Sequence, residues 1–298
     1  MNRPPQIAPV HGGLRIAMFG GLINLVLAGV KVAAGILGNS NALLADAVES
    51  MGDVASSLIV FSGIAIAAKP ADATHPYGHG KAEAISSMIV AGALLAAGAW
   101  IAIENIGKLS GRHDTPATFT LIVLTVVVAV KELLFRYESK VGERAHSTVV
   151  ASDAMHHRSD AMTSAIAFLG ISVAVIGGPG YESADNYAAL FASCVIGFTA
   201  FRMFSPALHE LMDAAPPAEI EHEIRKSAES VPGVASLDKC LVRKMGVSYY
   251  VDLHVVVDGA MPVRNGHQIA HEVKDAIRRS NPKISDVLVH IEPLESHG

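Results

Sequence analysis

Two pairs of potential metal ligands lie within long apolar stretches of the sequence. Glu49 and Asp53 are four residues apart, and His156 and Asp160 repeat that spacing further along the chain. Residues four apart lie on one face of a helix, so each helix would present two ligands on the same side. An acid in the bilayer core costs roughly 2.5–3.5 kcal/mol, which makes such residues functional candidates. Two helices with two ligands each supply the four ligands of a tetrahedral divalent-metal site.

This set of three carboxylates and one imidazole suits Zn²⁺, Fe²⁺, Mn²⁺ or Co²⁺ better than Cu⁺, which prefers sulfur. Each ligand must lose its proton to bind metal, so protons and metal compete for the site. Because histidine titrates near neutral pH, His156 is the expected proton carrier, and the pattern predicts metal–proton exchange. Asp46 lies a turn nearer the membrane surface, and His157 is rotated by about 100° from His156. We interpret Asp46 and His157 as capping or packing residues.

The elements that would position these ligands are apolar segments of the length of membrane-spanning helices, which need about 20 residues. The sequence is 51% hydrophobic and has a mean hydropathy of +0.38, too apolar for an ordinary soluble protein. Lys31 and Lys131 fall near predicted helix ends and are expected to snorkel to the surface. We predict an all-α, six-helix transmembrane domain over residues 1–213, with helices at about 14–37, 42–68, 84–107, 116–135, 149–176 and 186–208.

The composition changes near residue 214, where amphipathic and alternating patterns replace the apolar runs. The patterns predict a helix, two strands, a second helix and a last strand, at about 217–231, 236–244, 248–258, 263–280 and 285–293. This αββαβ order predicts a small two-layer α+β domain over residues 214–298.

Basic residues are unevenly distributed between the two sides of the predicted helices. Arg112 shares its side only with Lys108, whereas the other side carries Arg3, Arg15, Lys69, Lys81, Arg136, Lys140 and Arg144. This bias predicts a multi-pass protein with both termini in the cytoplasm. The net charge of −5 gives no reason to expect a nucleic-acid partner, and two cysteines suggest no disulfide framework. We expect no organic cofactor.

A loop between the second and third apolar segments contains Asp72, His75 and His79. A turn built on Pro76 and Gly78 can bring the two imidazoles together. Taken alone, a histidine-rich loop is more often simply solvated. The loop is therefore a candidate second metal site, with solvated surface histidines as the alternative.

The C-terminal segment contains a third group of potential ligands. Asp252 and His254 project from one strand face, and His290 and Glu292 share a face of the last strand. Asp238 opens the first strand, and His267 sits early in the second helix. His267 and His271 are as readily interpreted as isolated surface histidines.

Three motifs, in their order and spacing, resemble the cation diffusion facilitator family of divalent metal transporters. They are ALLADAVESMGD at 42–53, HPYGHGKAE at 75–83 and DAMHHRSD at 153–160, and the resemblance runs from about residue 13 to 294. It implies a homodimeric six-helix metal/proton antiporter with a cytoplasmic, metallochaperone-like (ferredoxin-like) domain, exporting Zn²⁺ and related ions.

The family resemblance also implies roles for individual residues. It implies a transport site formed by Glu49, Asp53, His156 and Asp160, and a loop site formed by Asp72, His75 and His79. It implies metal sites at the dimeric interface of the cytoplasmic domains, lined by Asp238, His254, His267, His290 and Glu292. Lys81 and Asp213 match a salt bridge at the dimer interface.

These observations lead to the hypothesis of a secondary active transporter in the cell membrane. It would export a divalent transition-metal cation from the cytoplasm in exchange for protons. Zn²⁺ is the first choice, and Fe²⁺, Mn²⁺, Co²⁺ and Cd²⁺ remain open because ligand type alone does not set selectivity. A membrane-anchored metal sensor is the main alternative. A membrane metalloenzyme would need an additional acid or base beside an open coordination position, and the sequence offers none near the four ligands; we expect no enzyme.

Overall fold

A computed structural model describes residues 10–109, 115–145, 148–178 and 180–294. Arg3 and Arg112, used above to predict orientation, lie outside these ranges. The described chain has six long helices followed by a smaller mixed segment. The elements are α1 Val10–Leu37, α2 Asn41–Ala67, α3 Ala82–Lys108, α4 Phe119–Ala145, α5 Thr148–Gly177, α6 Ser183–Leu211, α7 Ala218–Glu229, β1 Ser236–Met245, β2 Ser248–Val257, α8 Val263–Ser280 and β3 Ile284–Pro293.

The chain folds into two compact units. One contains residues 1–58 and 90–202, and the other contains residues 59–89 and 203–298. The first unit therefore holds most of the long helices. The second holds the α2–α3 loop with its flanking turns, the last turns of α6 and the mixed segment. The functional boundary at residues 213 and 214 stays a prediction.

The six long helices correspond to the six predicted segments. Five of them, all except α4, are long and apolar enough to cross a membrane. Helix α4 differs because it carries Lys131, Glu132, Arg136 and Glu138. Hydropathy placed its end at residue 135, but glutamate, lysine and arginine are good helix formers and the helix continues to Ala145. The prediction of a helical transmembrane domain with several apolar helices is confirmed.

The helices of the first unit are apolar on their outer surface and charged inside. Leu22, Trp100 and Ile176 are mostly exposed, whereas Lys31 and Lys131 are buried. A soluble protein rarely exposes such a large apolar surface, but a lipid bilayer covers it without cost. The inward-facing charges are therefore the part of this unit that requires a functional or structural explanation.

The start of α2, the helix that carries Glu49 and Asp53, is capped by two residues. The Ser40 hydroxyl accepts a hydrogen bond from the Leu43 amide (3.1 Å) and donates one to Asp185 Oδ1 (2.7 Å). Asp185, in the first turn of α6, also accepts hydrogen bonds from the backbone amides of Asn41 (2.6 Å) and Ala42 (3.3 Å). A carboxylate at a helix N-terminus satisfies free amides and favours the helix dipole. Asp185 thus ties α6 to the beginning of the ligand-bearing helix.

Replacing Asp185 with Ala is expected to lower the free energy of unfolding by about 1–3 kcal/mol, because charged hydrogen bonds to backbone amides are lost. Thermal unfolding in detergent measures the loss. Glu182→Gln is the matched control, since the Glu182 carboxylate accepts a hydrogen bond from the Gly180 amide of its own loop (2.8 Å). Equal stabilities for the two variants would contradict the capping role.

The mixed segment forms a three-stranded sheet with the order β1-β2-β3. Strands β1 and β2 are antiparallel, and β2 and β3 are parallel, joined through α8. Leu253 and Val255 of β2 pack against Val273 and Ile277 of α8 in one buried core. The predicted αββαβ order is confirmed, because the period-two and helical patterns coincide with this core.

Cys240 lies in that core, just after a register shift in β1. Burial raises the pKa of its thiol to about 11. At pH 8 very little thiolate exists, so maleimide labelling is expected to be about a hundredfold slower than in denaturant and to accelerate as the pH approaches 11. A Cys194→Ala background leaves Cys240 as the single thiol to follow. Labelling at the denatured rate would contradict the packing of β1.

Candidate metal transport site

Helices α2 and α5 bring three of the four predicted transport ligands together. Ligand atoms of Asp53, His156 and Asp160 all lie within 4.8 Å of one another. His156 Nε2 lies 3.5 Å from Asp53 Oδ2 and 3.9 Å from Asp160 Oδ1. These two carboxylates and one imidazole face one small volume, as the ligands of a divalent transition metal would. The i,i+4 pattern on α5 and the last acid on α2 therefore converge.

Glu49 stands one turn before Asp53 on α2 but does not join the three-residue group. Its Oε2 is buried and has no hydrogen-bond partner among the described residues. The sequence pattern fixes the helix face but leaves the side-chain rotamer free. A buried carboxylate oxygen without a donor is costly unless it gains a proton or a cation. Glu49 as the fourth ligand stays a prediction.

Lys131 of α4 contacts the transport group directly. Its Nζ donates to Asp160 Oδ2 and to Asn24 Oδ1, the latter at 2.7 Å, and its side chain is only 2% exposed. The prediction that Lys131 snorkels to the surface is therefore wrong. Hydropathy could not detect this, because the helix end assigned at residue 135 made Lys131 look terminal.

Lys31 of α1 forms a second buried ion pair, with Asp46 of α2. Its Nζ lies 2.8 Å from Asp46 Oδ2 and donates to Ser50 and Ser164, both at 2.9 Å. The Ser164 hydroxyl also bonds the Asp46 carboxylate, at 2.9 Å. Asp46 is therefore an ion-pair partner rather than a cap, and Lys31 does not snorkel. The sequence did contain a signal for this pair. Lys31 lies in the first apolar segment and Asp46 in the second, and neither charge had another explanation.

His157 is fully buried beside Glu138 of α4. The His157 Nε2 to Glu138 Oε2 distance is 3.4 Å, and both side chains are at most 1% exposed. This agrees with the interpretation of His157 as a packing residue that points away from the face of His156. Gly20 of α1 leaves room for the pair, because a Cβ there would lie 3.0 Å from Glu138 Oε1.

The α2–α3 loop brings Asp72, His75 and His79 within 4.8 Å of one another. The Asp72 carboxylate lies 3.4 Å from His75 Nδ1 and 3.5 Å from His79 Nε2. Hydrogen bonds from the Thr74 hydroxyl (2.7 Å) and the His75 amide (2.7 Å) hold the pKa of Asp72 well below its usual range. The carboxylate therefore stays ionised, and able to bind a cation, well into the acid range. Gly78 supports the turn with φ of 83°.

The C-terminal unit assembles part of its predicted ligand set. His254, His290 and Glu292 lie within 4.8 Å of one another, with His254 Nδ1 2.6 Å from Glu292 Oε1. Parallel pairing of β2 and β3 aligns His254 with His290 and explains this convergence. Asp238 and His267 do not complete the group in this chain.

His267 instead meets His271, one helical turn later on α8. The two Nε2 atoms are 3.2 Å apart. Asp238 is exposed beside the register shift in β1, where strand periodicity no longer fixes its direction. Sequence reasoning assigned faces within each strand but could not predict which elements would meet.

Lys81 and Asp213 form an ion pair within the chain, with Nζ 2.8 Å from Oδ1. Lys81 also donates to the Leu211 carbonyl (3.3 Å). Glu210, three residues before Asp213, accepts hydrogen bonds from two groups of the β1–β2 hairpin. They are Lys244 Nζ (2.7 Å) and the Gly246 amide (2.9 Å). The end of α6 is thus fixed to both the loop and the sheet of the second unit.

Family models match nearly the whole chain. The model described as the cation efflux transmembrane domain matches residues 17–212, and the one described as the cation efflux protein, cytoplasmic domain matches residues 216–294. The chain is a cation diffusion facilitator. Both matches agree with the family resemblance of the three sequence motifs.

The chain has relatives in bacteria and plants. The facilitator is 31% identical to the manganese efflux system protein MneP of Bacillus subtilis, with 94% of this chain and 95% of MneP covered. It is 31% identical to the magnetosome protein MamB of Magnetospirillum gryphiswaldense, with 88% of each covered. It is also 31% identical to the metal tolerance protein C1 of Arabidopsis thaliana, covering 96% of this chain and 63% of that protein.

Among solved structures, the facilitator is similar to a MamM-CTD. The identity is 27% over 26% of this chain and 98% of that chain, with a TM-score of 0.26.

Proposed function

We propose that this facilitator exports a divalent transition-metal cation from the cytoplasm in exchange for protons. The observation that carries the proposal is the convergence of Asp53, His156 and Asp160 between two membrane-spanning helices. Glu49, with its unpartnered buried oxygen, supplies the fourth ligand after a change of rotamer. Metal binding requires these groups to be deprotonated, so protons arriving from outside displace the metal and return inward.

Zn²⁺ is the first choice of substrate, because four ligands that include an imidazole suit its tetrahedral preference. Mn²⁺ is the second candidate, since three of the four ligands are carboxylates, which suit manganese, and since a relative is named for manganese efflux. Fe²⁺, Co²⁺ and Cd²⁺ complete the range to be tested.

The other ligand clusters support a regulatory role in the same cycle. We assign the loop cluster of Asp72, His75 and His79, and the cluster of His254, His290 and Glu292, as sites where cytoplasmic metal favours one conformation. A ligand shifts conformations only by its differential affinity for them. Asp238 and His267 would join the second cluster from the partner of a homodimer.

The proposed setting is the cell membrane, with residues 1–213 in the bilayer and residues 214–298 in the cytoplasm. Both termini are cytoplasmic in this arrangement. Lys81 and Asp213 would fix the hinge between the domains near the dimer axis. This role requires that the dimer partly desolvates the pair, because an exposed pair contributes only about 0–1 kcal/mol.

Uptake of Zn²⁺, Mn²⁺, Fe²⁺ and Co²⁺ into proteoliposomes with an imposed pH gradient tests the proposal. Gradient-dependent uptake of at least one metal is expected, and its rates rank the substrates. A protein that binds metal with high affinity but moves none would instead be a membrane-anchored sensor. Chemical conversion of a substrate without metal flux would indicate an enzyme, a result that contradicts the proposed role of the converged ligands.

A further inference from the structure

The interior of the helical unit holds more charge than a four-ligand metal site requires. Four acids are clustered on or beside the transport group, and two lysines balance part of their charge. Lys31 pairs with Asp46 and Lys131 with Asp160, which leaves the carboxylates of Glu49 and Asp53 without a lysine partner. The acids are Asp46, Glu49, Asp53 and Asp160, and the bases are Lys31 and Lys131.

The two lysines are used differently. Lys31 pairs with Asp46, which is not among the converged ligands, and its ammonium is fully engaged by Ser50 and Ser164. The Lys31 ammonium therefore neutralises the Asp46 carboxylate, which is not a predicted metal ligand. Lys131, by contrast, binds a metal ligand.

Asp160 is shared between Lys131 and the transport group. Its Oδ2 accepts the Lys131 ammonium, while its Oδ1 faces His156 at 3.9 Å. Lys131 is 2% exposed and Asp160 7%, so solvent screens the lysine charge only weakly on the side of the site formed by Asp160. Asn24 Oδ1, 2.7 Å from Nζ, provides a second acceptor that keeps the ammonium in place when Asp160 turns toward a metal.

We propose that Lys131 is a tethered internal cation that competes with the transported metal for Asp160 and thereby sets its affinity. The inference rests on the proposed function. Without metal, the ammonium stabilises a carboxylate that would otherwise be buried and unpaired. With metal bound, the same charge repels the metal across the short distance set by Asp160, where both side chains are buried. A transport site must bind strongly enough to load and weakly enough to unload, and Lys131 supplies the second property.

The decisive variant is Lys131→Met, which removes the charge and keeps an unbranched chain of similar size. Binding of Zn²⁺ and Mn²⁺ to the full chain in detergent is measured at pH 8, by competition with a fluorescent chelator. We expect at least about tenfold tighter binding, because a buried like charge beside the metal is gone. In proteoliposomes, KM and kcat are expected to fall together, since tighter binding slows release. A merely structural role would weaken binding.

Three comparisons make the test specific. Lys131→Gln keeps a hydrogen-bond donor for Asp160 and should tighten metal binding as Lys131→Met does. If Lys131→Met does not fold, Lys131→Gln serves as the test variant. Lys131→Arg keeps the charge and should stay within about threefold of wild type. Lys140→Met removes an exposed lysine from the same helix and should change nothing.

Unchanged or weaker binding by folded Lys131→Met and Lys131→Gln would overturn the inference while leaving the proposed function intact. Tightening by Lys131→Arg equal to that of Lys131→Met would also overturn it, because charge would then not be the cause. If the wild-type protein neither binds nor transports Zn²⁺ or Mn²⁺, the proposed function is wrong, and the inference about Lys131 is wrong as well.

Discussion

Replacing Asp53 with Asn is expected to reduce metal flux at least about a hundredfold while the protein still folds and inserts. The change removes one charged ligand from the converged group, and even residues that only support metal ligands are worth 10- to 100-fold. Asp53 is the cleanest site for this test because its side chain is 26% exposed and it contacts His156 rather than a buried lysine. No buried charge is left without a partner. Zn²⁺ and Mn²⁺ uptake under a pH gradient measures the effect.

The matched control is Glu132→Gln, an acid-to-amide change on a helix of the same unit. Glu132 forms an i,i+4 pair with Arg136 at 2.6 Å, and both side chains are well exposed. Its replacement should leave flux within about twofold, because such pairs contribute little. Normal transport by Asp53→Asn would remove Asp53 from the site. Asp160→Asn is a less direct test, since it also deprives Lys131 of its charged partner.

Breaking the Lys31–Asp46 pair is expected to produce the largest loss of stability. Lys31→Met leaves the Asp46 carboxylate, 2% exposed, without a counter-charge, and removing one partner of a buried pair typically costs about 3–5 kcal/mol. Asp46→Leu leaves the Lys31 ammonium in the same state. Unfolding in mixed detergent micelles, followed by circular dichroism, reports both losses.

The double variant Lys31→Met with Asp46→Leu separates pairing from packing. Apolar replacement of both partners is expected to recover most of the lost stability, since no buried charge remains. The resulting coupling of several kcal/mol should exceed that of the exposed Glu132–Arg136 pair, which is expected at about 0.5 kcal/mol or less. Additive losses for Lys31 and Asp46 would show that they do not act as a pair.

Much of this architecture is predictable because the bilayer imposes strong rules. Length and hydropathy located six helices, and the i,i+4 spacing of His156 and Asp160 predicted that both side chains share one helix face, which the structure places beside Asp53. In the second unit, strand alternation placed Asp252 and His254 on one face of β2, and Leu253 and Val255 on the opposite face lie in the core. These features depend on local periodicity, which a single sequence carries in full.

The features that escaped prediction depend on which elements meet. Hydropathy favours a helix end near a lysine, so it did not predict that Lys31 and Lys131 are buried. Their acidic partners, Asp46 and Asp160, lie on other helices, and hydropathy does not predict which helices pack together. Rotamers decide whether Glu49 reaches the metal group, and helix periodicity does not specify them. Asp238 and His267 remain apart from the His254 cluster. Asp238 lies at the register shift in β1, and His267 lies on α8 rather than on a strand.

In the proposed transport cycle, metal and protons move in opposite directions through one site. The most direct measurement records both fluxes in the same vesicles, with a metal-sensitive dye and a pH-sensitive dye inside proteoliposomes. We predict metal entry accompanied by proton exit from acid-loaded vesicles, with both signals lost in Asp53→Asn and retained in Glu132→Gln. Metal entry that causes no pH change, or proton exit that does not depend on metal, would contradict this account.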